Sequence, residues 1–348
     1  MRFRGVVAGA LTVSIAATAA GGAARAAERG NPVRDAVTTL VTRGGFPAAV
    51  AYHRDGDRVS RYAAGVADVR TGEPARAGQR WRIASNTKGF VAVVVLQLAA
   101  EGRLSLDAPV AVPGVPAVTP RQLLGHTSGI HDPADAELFA PYFAGDRGYV
   151  YTPDEVIRMA LRKPPSAPGR YEYSNTGYLV LGKLVEAVTG HDVRREVAAR
   201  VLRPLGLVHT SFPLTSPRLT GPHLHGYDLA RVDWTTISPS YDWTAGAMVS
   251  TVDDLATFHR ALFAGRLLPP ELQAQLIGQG LGVEKVELPC GRTVWGGTGA
   301  GPGYVSVSVT DGRRQLTLVA TVFDVKADAE HRPPLPSRAG APLVAAFC

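Results

Sequence analysis

Ser85-Asn86-Thr87-Lys88-Gly89-Phe90-Val91-Ala92-Val93-Val94-Val95-Leu96 sets a short polar segment against a strongly apolar run. Arginine outnumbers lysine by 32 to 5 in this chain, so Lys88 departs from its habit, and Ser85/Lys88 is its only Ser-x-x-Lys. The apolar spacing predicts a helix over Thr87–Glu101. Residues three apart share a helix face, which puts the amine within reach of the hydroxyl. A free lysine titrates near 10.4, so service as a base at neutral pH requires a downward shift costing about 4 kcal/mol against the charged form. An apolar core and the positive end of a helix both push that way. The same two residues also fit a plainer reading, in which Ser85 is an N-cap and Lys88 a solvated first-turn charge.

A second polar cluster, Tyr173-Ser174-Asn175, follows the Gly169 turn and precedes the apolar Gly177–Val188, a predicted helix. Asparagine occurs only at 31, 86 and 175. A phenol held near the serine and lysine can relay a proton to a leaving group, and a carboxamide can bind a substrate carbonyl. Tyr173 is thus a candidate proton carrier and Asn175 a candidate substrate ligand, although Tyr173 also fits an ordinary half-buried aromatic.

Toward the N-terminus, Ala48–His53 and Val59–Val66 flank the turn-like Arg54–Asp57 and predict a hairpin. Thr293–Thr298, Tyr304–Val309 and Gln315–Val322 predict strands near the other end of the chain. Helical spacing marks Val33–Thr42, Asp154–Arg162, Val193–Leu202 and Val252–Ala264. The expected fold is α/β: an antiparallel sheet built from both terminal regions, about 27–84 and 240–348, flanked by helices, with a mainly helical insertion over about 85–239. No linker or repeat divides the chain, so residues 27–348 are expected to form a single domain.

With 348 residues, 45% hydrophobic and 19% charged, the chain is excluded from the disordered and fibrous classes. The net charge of +7 is dispersed and forms no basic stripe with interleaved aromatics, so no nucleic-acid partner is expected. Residues 1–26 read as a signal peptide: Arg2 and Arg4, a small-residue apolar stretch, then Ala24-Arg25-Ala26. Export to an oxidising space is expected, with no membrane span in the mature chain. There the only two cysteines, Cys290 and Cys348, either form one bridge, stabilising by roughly 4 kcal/mol on the loop-entropy account, or remain free thiols.

The motif set resembles the serine β-lactamase and penicillin-binding-protein superfamily, in particular its class C β-lactamase and D-alanyl-D-alanine carboxypeptidase branch. Ser85–Lys88 and Tyr173–Asn175 look like its first two motifs. Leu123-Leu124-Gly125-His126-Thr127-Ser128-Gly129-Ile130 and Gly246–Thr251 with Asp254-Leu255 resemble two further segments of the branch. Trp295-Gly296-Gly297-Thr298-Gly299 occupies the place of its His-Thr-Gly or Lys-Thr-Gly motif. The resemblance implies that Thr298 binds a substrate carboxylate and that the backbone N–H groups of Ser85 and Ala300 form an oxyanion hole. Gly297 brings no charge to that strand, and its Trp-Gly-Gly context resembles family VIII carboxylesterases.

What the resemblance implies is a secreted serine hydrolase with Ser85 as nucleophile and Lys88 and Tyr173 managing the proton. The expected donor is a peptidoglycan stem peptide ending in D-Ala-D-Ala or another small acyl donor, and β-lactams are expected to acylate the serine. The rival readings are an esterase or β-lactamase of the same fold, and a non-catalytic penicillin-binding or cell-wall-binding protein. Tyr241, Trp234 and Trp243 are expected either to wall the cleft or to form a packed aromatic cluster. No cofactor is expected. No metal is expected either, because His126/His131 and His223/His225 lack a ligand set at suitable spacing, and no Gly-x-Ser-x-Gly elbow occurs.

Overall fold

The computed structural model describes residues 30–326 and 340–348. The expected signal peptide, 1–26, lies outside the described residues. Seven strands form one sheet in the order β3-β2-β1-β9-β8-β7-β6, every neighbouring pair antiparallel. They are β1 (Ala48–Asp55), β2 (Arg58–Asp68), β3 (Glu73–Pro74), β6 (Glu284–Glu287), β7 (Thr293–Gly301), β8 (Tyr304–Thr310) and β9 (Arg314–Ala320). A short pair, β4 (Trp81–Arg82) with β5 (Val249–Ser250), lies apart from it. The first hairpin closes on Asp55↔Arg58, with Gly56 at φ +59° in the two-residue turn. Pairing of β1 with β9 then joins the N- and C-terminal regions.

Strand side chains alternate between two cores. Val50 and Val319 face the larger core, which also holds the buried residues of α2 (Thr87–Ala100) and α11 (Val252–Phe263). Ala49, Ala51, Leu318 and Ala320 face α1 (Pro32–Thr42) and the C-terminal helix Ala341–Phe347. Between β4 and β5 the chain is mainly helical: α3 (Pro120–Leu124), α4 (Asp135–Leu138), α5 (Ala140–Phe143), α6 (Pro153–Leu161), α7 (Asn175–Thr189), α8 (Val193–Val197), α9 (Arg203–Leu205) and α10 (Trp243–Gly246).

Local chemistry sets the ends of these helices. Asn31 Oδ1 accepts from Val33 N and Arg34 N ahead of Pro32, Thr152 and Glu155 close a capping box on α6, and Gly190 ends α7 in the left-handed region. α2 has no side-chain cap and is buried all round from Thr87 to Leu96, so packing holds it. Burying each of its valines and leucines contributes about 1.5–3 kcal/mol.

The expected strands are found with their ends moved by one or two residues, except β7, which is three longer. β7 does not stop at Thr298 but runs on through Gly299-Ala300-Gly301, pressed against the turn that carries Ser85. A Cβ at Gly299 would collide with the Ile83 carbonyl oxygen, so this close approach requires glycine. β6 and the helix Pro270–Gln279 were not anticipated. Cys290 and Cys348 are bridged, tying the β6–β7 turn to the C-terminal helix and settling the choice the sequence left open. Among the described residues no helix is long and apolar enough to cross a membrane.

Candidate active site

Ser85 lies in a single 3₁₀ turn, Ala84–Asn86, that feeds α2. Ala84 is held at φ +46°, a conformation costly for a residue with a Cβ. Asn86 fixes the turn from below, its Nδ2 donating to Ile83 O at 3.1 Å and to Ser306 Oγ of β8 at 3.0 Å. Asn86, not Ser85, occupies the N-cap position of α2, and its side chain makes no capping bond there.

Lys88 is 4% exposed, which removes the reading of a solvated charge. Its Nζ donates to Ser85 Oγ at 3.0 Å, Asn175 Oδ1 at 2.7 Å and Ala245 O at 2.9 Å. Burial pulls its pKa down to about 8, against the opposing pull of Asp242, Asp132 and Glu284. A neutral amine keeps two N–H groups, the number that Asn175 and Ala245 can accept, and its lone pair then faces Ser85. Asn175, expected to bind substrate, thus spends its Oδ1 on orienting Lys88.

Tyr173 comes from the segment before α7, and its phenol donates to Ser85 Oγ at 2.8 Å. Burial holds its pKa well above the ordinary tyrosine value, so the phenol stays protonated, while Lys88 is the group placed to lose a proton. The Tyr173 ring stacks on His126 with centroids 4.4 Å apart, and His126 Nδ1 accepts the Ser174 N–H at 3.2 Å. Burial first, then the Lys88 charge, lower the His126 pKa to about 3, so the imidazole is a neutral acceptor.

Asp132 anchors the start of α7. Its carboxylate accepts from Asn175 N at 3.0 Å, Thr176 N at 2.8 Å, Thr176 Oγ1 at 2.9 Å and Ser174 Oγ at 3.3 Å. A carboxylate at a helix N-terminus is favoured by the orphan N–H groups and the dipole. Asp242, beside Lys88, has its pKa raised to about 6 by burial. Neither acid, nor the positioning part of His126, stood out in the sequence.

Ala300 is carried past Ser85 by β7: a Cβ at Gly301 would stand 3.3 Å from Ala84 Cβ and 3.9 Å from Tyr241 Oη. Tyr241 therefore borders the site, packed on Phe139 at 4.7 Å. A Cβ at Gly297 would meet Asn86 Oδ1 at 3.0 Å and His259 Nε2 at 3.6 Å. Thr298 Oγ1 donates to Glu284 Oε1 at 2.8 Å, so its single proton is already committed.

Of the two alternatives left open for Trp243 and Trp234, both residues take the packed one, so Trp243 is not a substrate ligand. Trp243 is 5% exposed and packs where Gly182 of α7 leaves room for its ring, so it belongs to the core and not to a cleft wall. Trp234 lies under the Arg147 guanidinium, 3.1 Å from its ring centroid, and edge-on to Phe143. The histidines noted in the sequence have structural partners: His131 pairs with Glu172 at 2.6 Å and His225 with Asp233 at 2.7 Å.

A serine hydroxyl, a depressed amine and a protonated phenol converge here, beside a sheet flanked by helices. A family model described as beta-lactamase matches residues 33–335, so the chain belongs to that family, within the β-lactamase/transpeptidase-like serine hydrolase superfamily. It is similar to the D-stereospecific amidohydrolase from Streptomyces sp., at 31% identity and TM-score 0.80, covering 91% of this chain and 98% of that one. The D-amino acid amidase from Ochrobactrum anthropi SV3 shares the fold, with 24% identity, TM-score 0.76 and coverage of 90% and 97%. Esterase EstB of Burkholderia gladioli is 34% identical over 209 residues, 52% of this chain and 50% of that protein. The chain spans about half the length of the curated relatives it matches.

Proposed function

We propose that the protein is a serine acyl hydrolase that cleaves small amides or esters through an acyl-enzyme on Ser85. The observation that carries this reading is the pair of contacts on Ser85 Oγ, 3.0 Å from Lys88 Nζ and 2.8 Å from Tyr173 Oη. Neutral Lys88 takes the serine proton as Oγ attacks the carbonyl carbon. The resulting alkoxide lies at the backbone N–H groups of Ser85 and Ala300, each such donor typically contributing about a hundredfold to a thousandfold in rate. Tyr173 passes a proton from the ammonium to the leaving nitrogen or oxygen as that bond breaks. Water, deprotonated by the same pair, then attacks the ester and releases the acid and free Ser85.

A peptidase acting on D-Ala-D-Ala ends is the second reading, supported by the likeness of the motifs to the carboxypeptidase branch. β-Lactams, which present an amide carbonyl in a strained ring, are proposed as acylating ligands in either case. The protein is further proposed to be exported, on the pattern of residues 1–26 and the Cys290–Cys348 bridge. Turnover of p-nitrophenyl acetate, D-phenylalanine amide and an acyl-D-Ala-D-Ala peptide tests the activity. Hydrolysis of at least one that is lost in Ser85→Ala supports it; binding without turnover of any would favour a non-catalytic binding protein.

A further inference from the structure

Glu284 of β6 reaches across to β7, where both its oxygens lie near the Thr298 hydroxyl, at 2.8 and 3.1 Å, and Oε1 also lies 3.4 Å from the Thr298 N–H. The register Glu284↔Gly296 puts this carboxylate at the end of β6, beside the part of β7 that runs on to Ser85. Glu284 is half-buried, and burial raises its pKa while the Thr298 hydrogen bonds and the Lys88 charge pull it back down.

The hydrogen-bond inventory is restrictive. A threonine hydroxyl has one proton, and here Glu284 takes it. A substrate carboxylate at Thr298 would find an acceptor where it needs a donor, and a like charge beside it. Asp132 and Asp242 add two more acids around Lys88. A carboxamide or an ammonium instead brings N–H groups that Glu284 can accept, and an ester brings no charge to repel.

Resting on the acyl-hydrolase reading above, we infer that Glu284 is a specificity-determining residue that turns the Thr298 subsite against free carboxylates and toward uncharged or cationic ends. The preferred donors are amides, esters and amino-group-bearing substrates, and a peptide with a free C-terminal carboxylate is a poor one. This answers the expectation that Thr298 serves a substrate carboxylate.

The test compares acyl-D-Ala-D-Ala with its C-terminal carboxamide on the wild type, Glu284→Gln and Glu284→Arg, with p-nitrophenyl acetate as a donor that carries nothing at this position. The wild type is expected to favour the carboxamide by at least tenfold in kcat/KM. Gln is expected to erase most of that preference and Arg to reverse it. Where neither peptide is cleaved, their competition against p-nitrophenyl acetate gives the same ratio. Equal use of both ends by the wild type, absent competition by both, or a ratio unmoved in both variants overturns the assignment. Failure of p-nitrophenyl acetate turnover, or its persistence in Ser85→Ala, would instead defeat the acyl-hydrolase reading itself.

Discussion

Tyr173 Oη lies 2.8 Å from Ser85 Oγ although 88 residues separate them. The contact exists because α2 and α7 start side by side, with Lys88 Nζ 4.9 Å from the centre of the Tyr173 ring. Replacing Tyr173 by Phe keeps the ring stacked on His126 and removes only the proton carrier. The expected loss of acylation rate is about 10² to 10⁴-fold. Tyr178→Phe is the control, since that phenol donates to Leu124 O at 3.0 Å and not to Ser85; it should change the rate by less than about tenfold, a small part of a general acid's contribution. Single-turnover kinetics on an activated ester separates the two.

The pH dependence follows from Lys88. Its pKa is lowered to about 8, and in the proposed mechanism its neutral form is the base. The acylation rate should therefore rise with pH, by about tenfold per unit below the Lys88 pKa, and level off above it. Lys88→Arg puts a group that never deprotonates in the same place and should abolish the rise along with most activity. A rate flat from pH 6 to 10 would exclude Lys88 as the base.

Asp132 is expected to matter without touching substrate. Asp132→Ala leaves the α7 N–H groups and the Thr176 hydroxyl without their acceptor, which should cost about 1–3 kcal/mol in urea unfolding. It should also lower kcat, because Tyr173 and Asn175 flank the anchored turn. Asp132→Asn, which retains one acceptor oxygen, should recover part of both losses.

The sequence reached the parts of the site that lie within one local segment. Ser85 and Lys88 share a helical face, and the Tyr173–Asn175 cluster stands out because asparagine is so scarce. It did not reach Glu284, since Glu284-Lys285-Val286-Glu287 has no distinctive pattern and becomes a strand only through pairing with β7. Trp243 was open between wall and core because its burial depends on the absence of a side chain at Gly182, 61 positions earlier. The glycines after Thr298 read as a turn, and only the Ile83 carbonyl pressed against Gly299 explains why the strand continues.

The Cys290–Cys348 bridge fastens the β6–β7 turn, and with it the strand that borders Ser85, to the C-terminal helix. Serine at both positions should lower the unfolding free energy by roughly 4 kcal/mol. Folded protein should retain its hydrolytic rate, because neither cysteine belongs to the cleft. Thermal unfolding with and without a reductant reads the first effect, and initial rates at 25 °C read the second.

We propose that Ser85 is the nucleophile, made so by Lys88 and Tyr173. Intact-mass spectrometry with peptide mapping, after a brief exposure to an activated ester, measures this most directly. One acyl group per chain is expected, on Ser85, formed far more slowly in Lys88→Arg and absent in Ser85→Ala. An adduct on any other residue, or labelling of Ser85 at an undiminished rate once Lys88 and Tyr173 are both replaced, would contradict it.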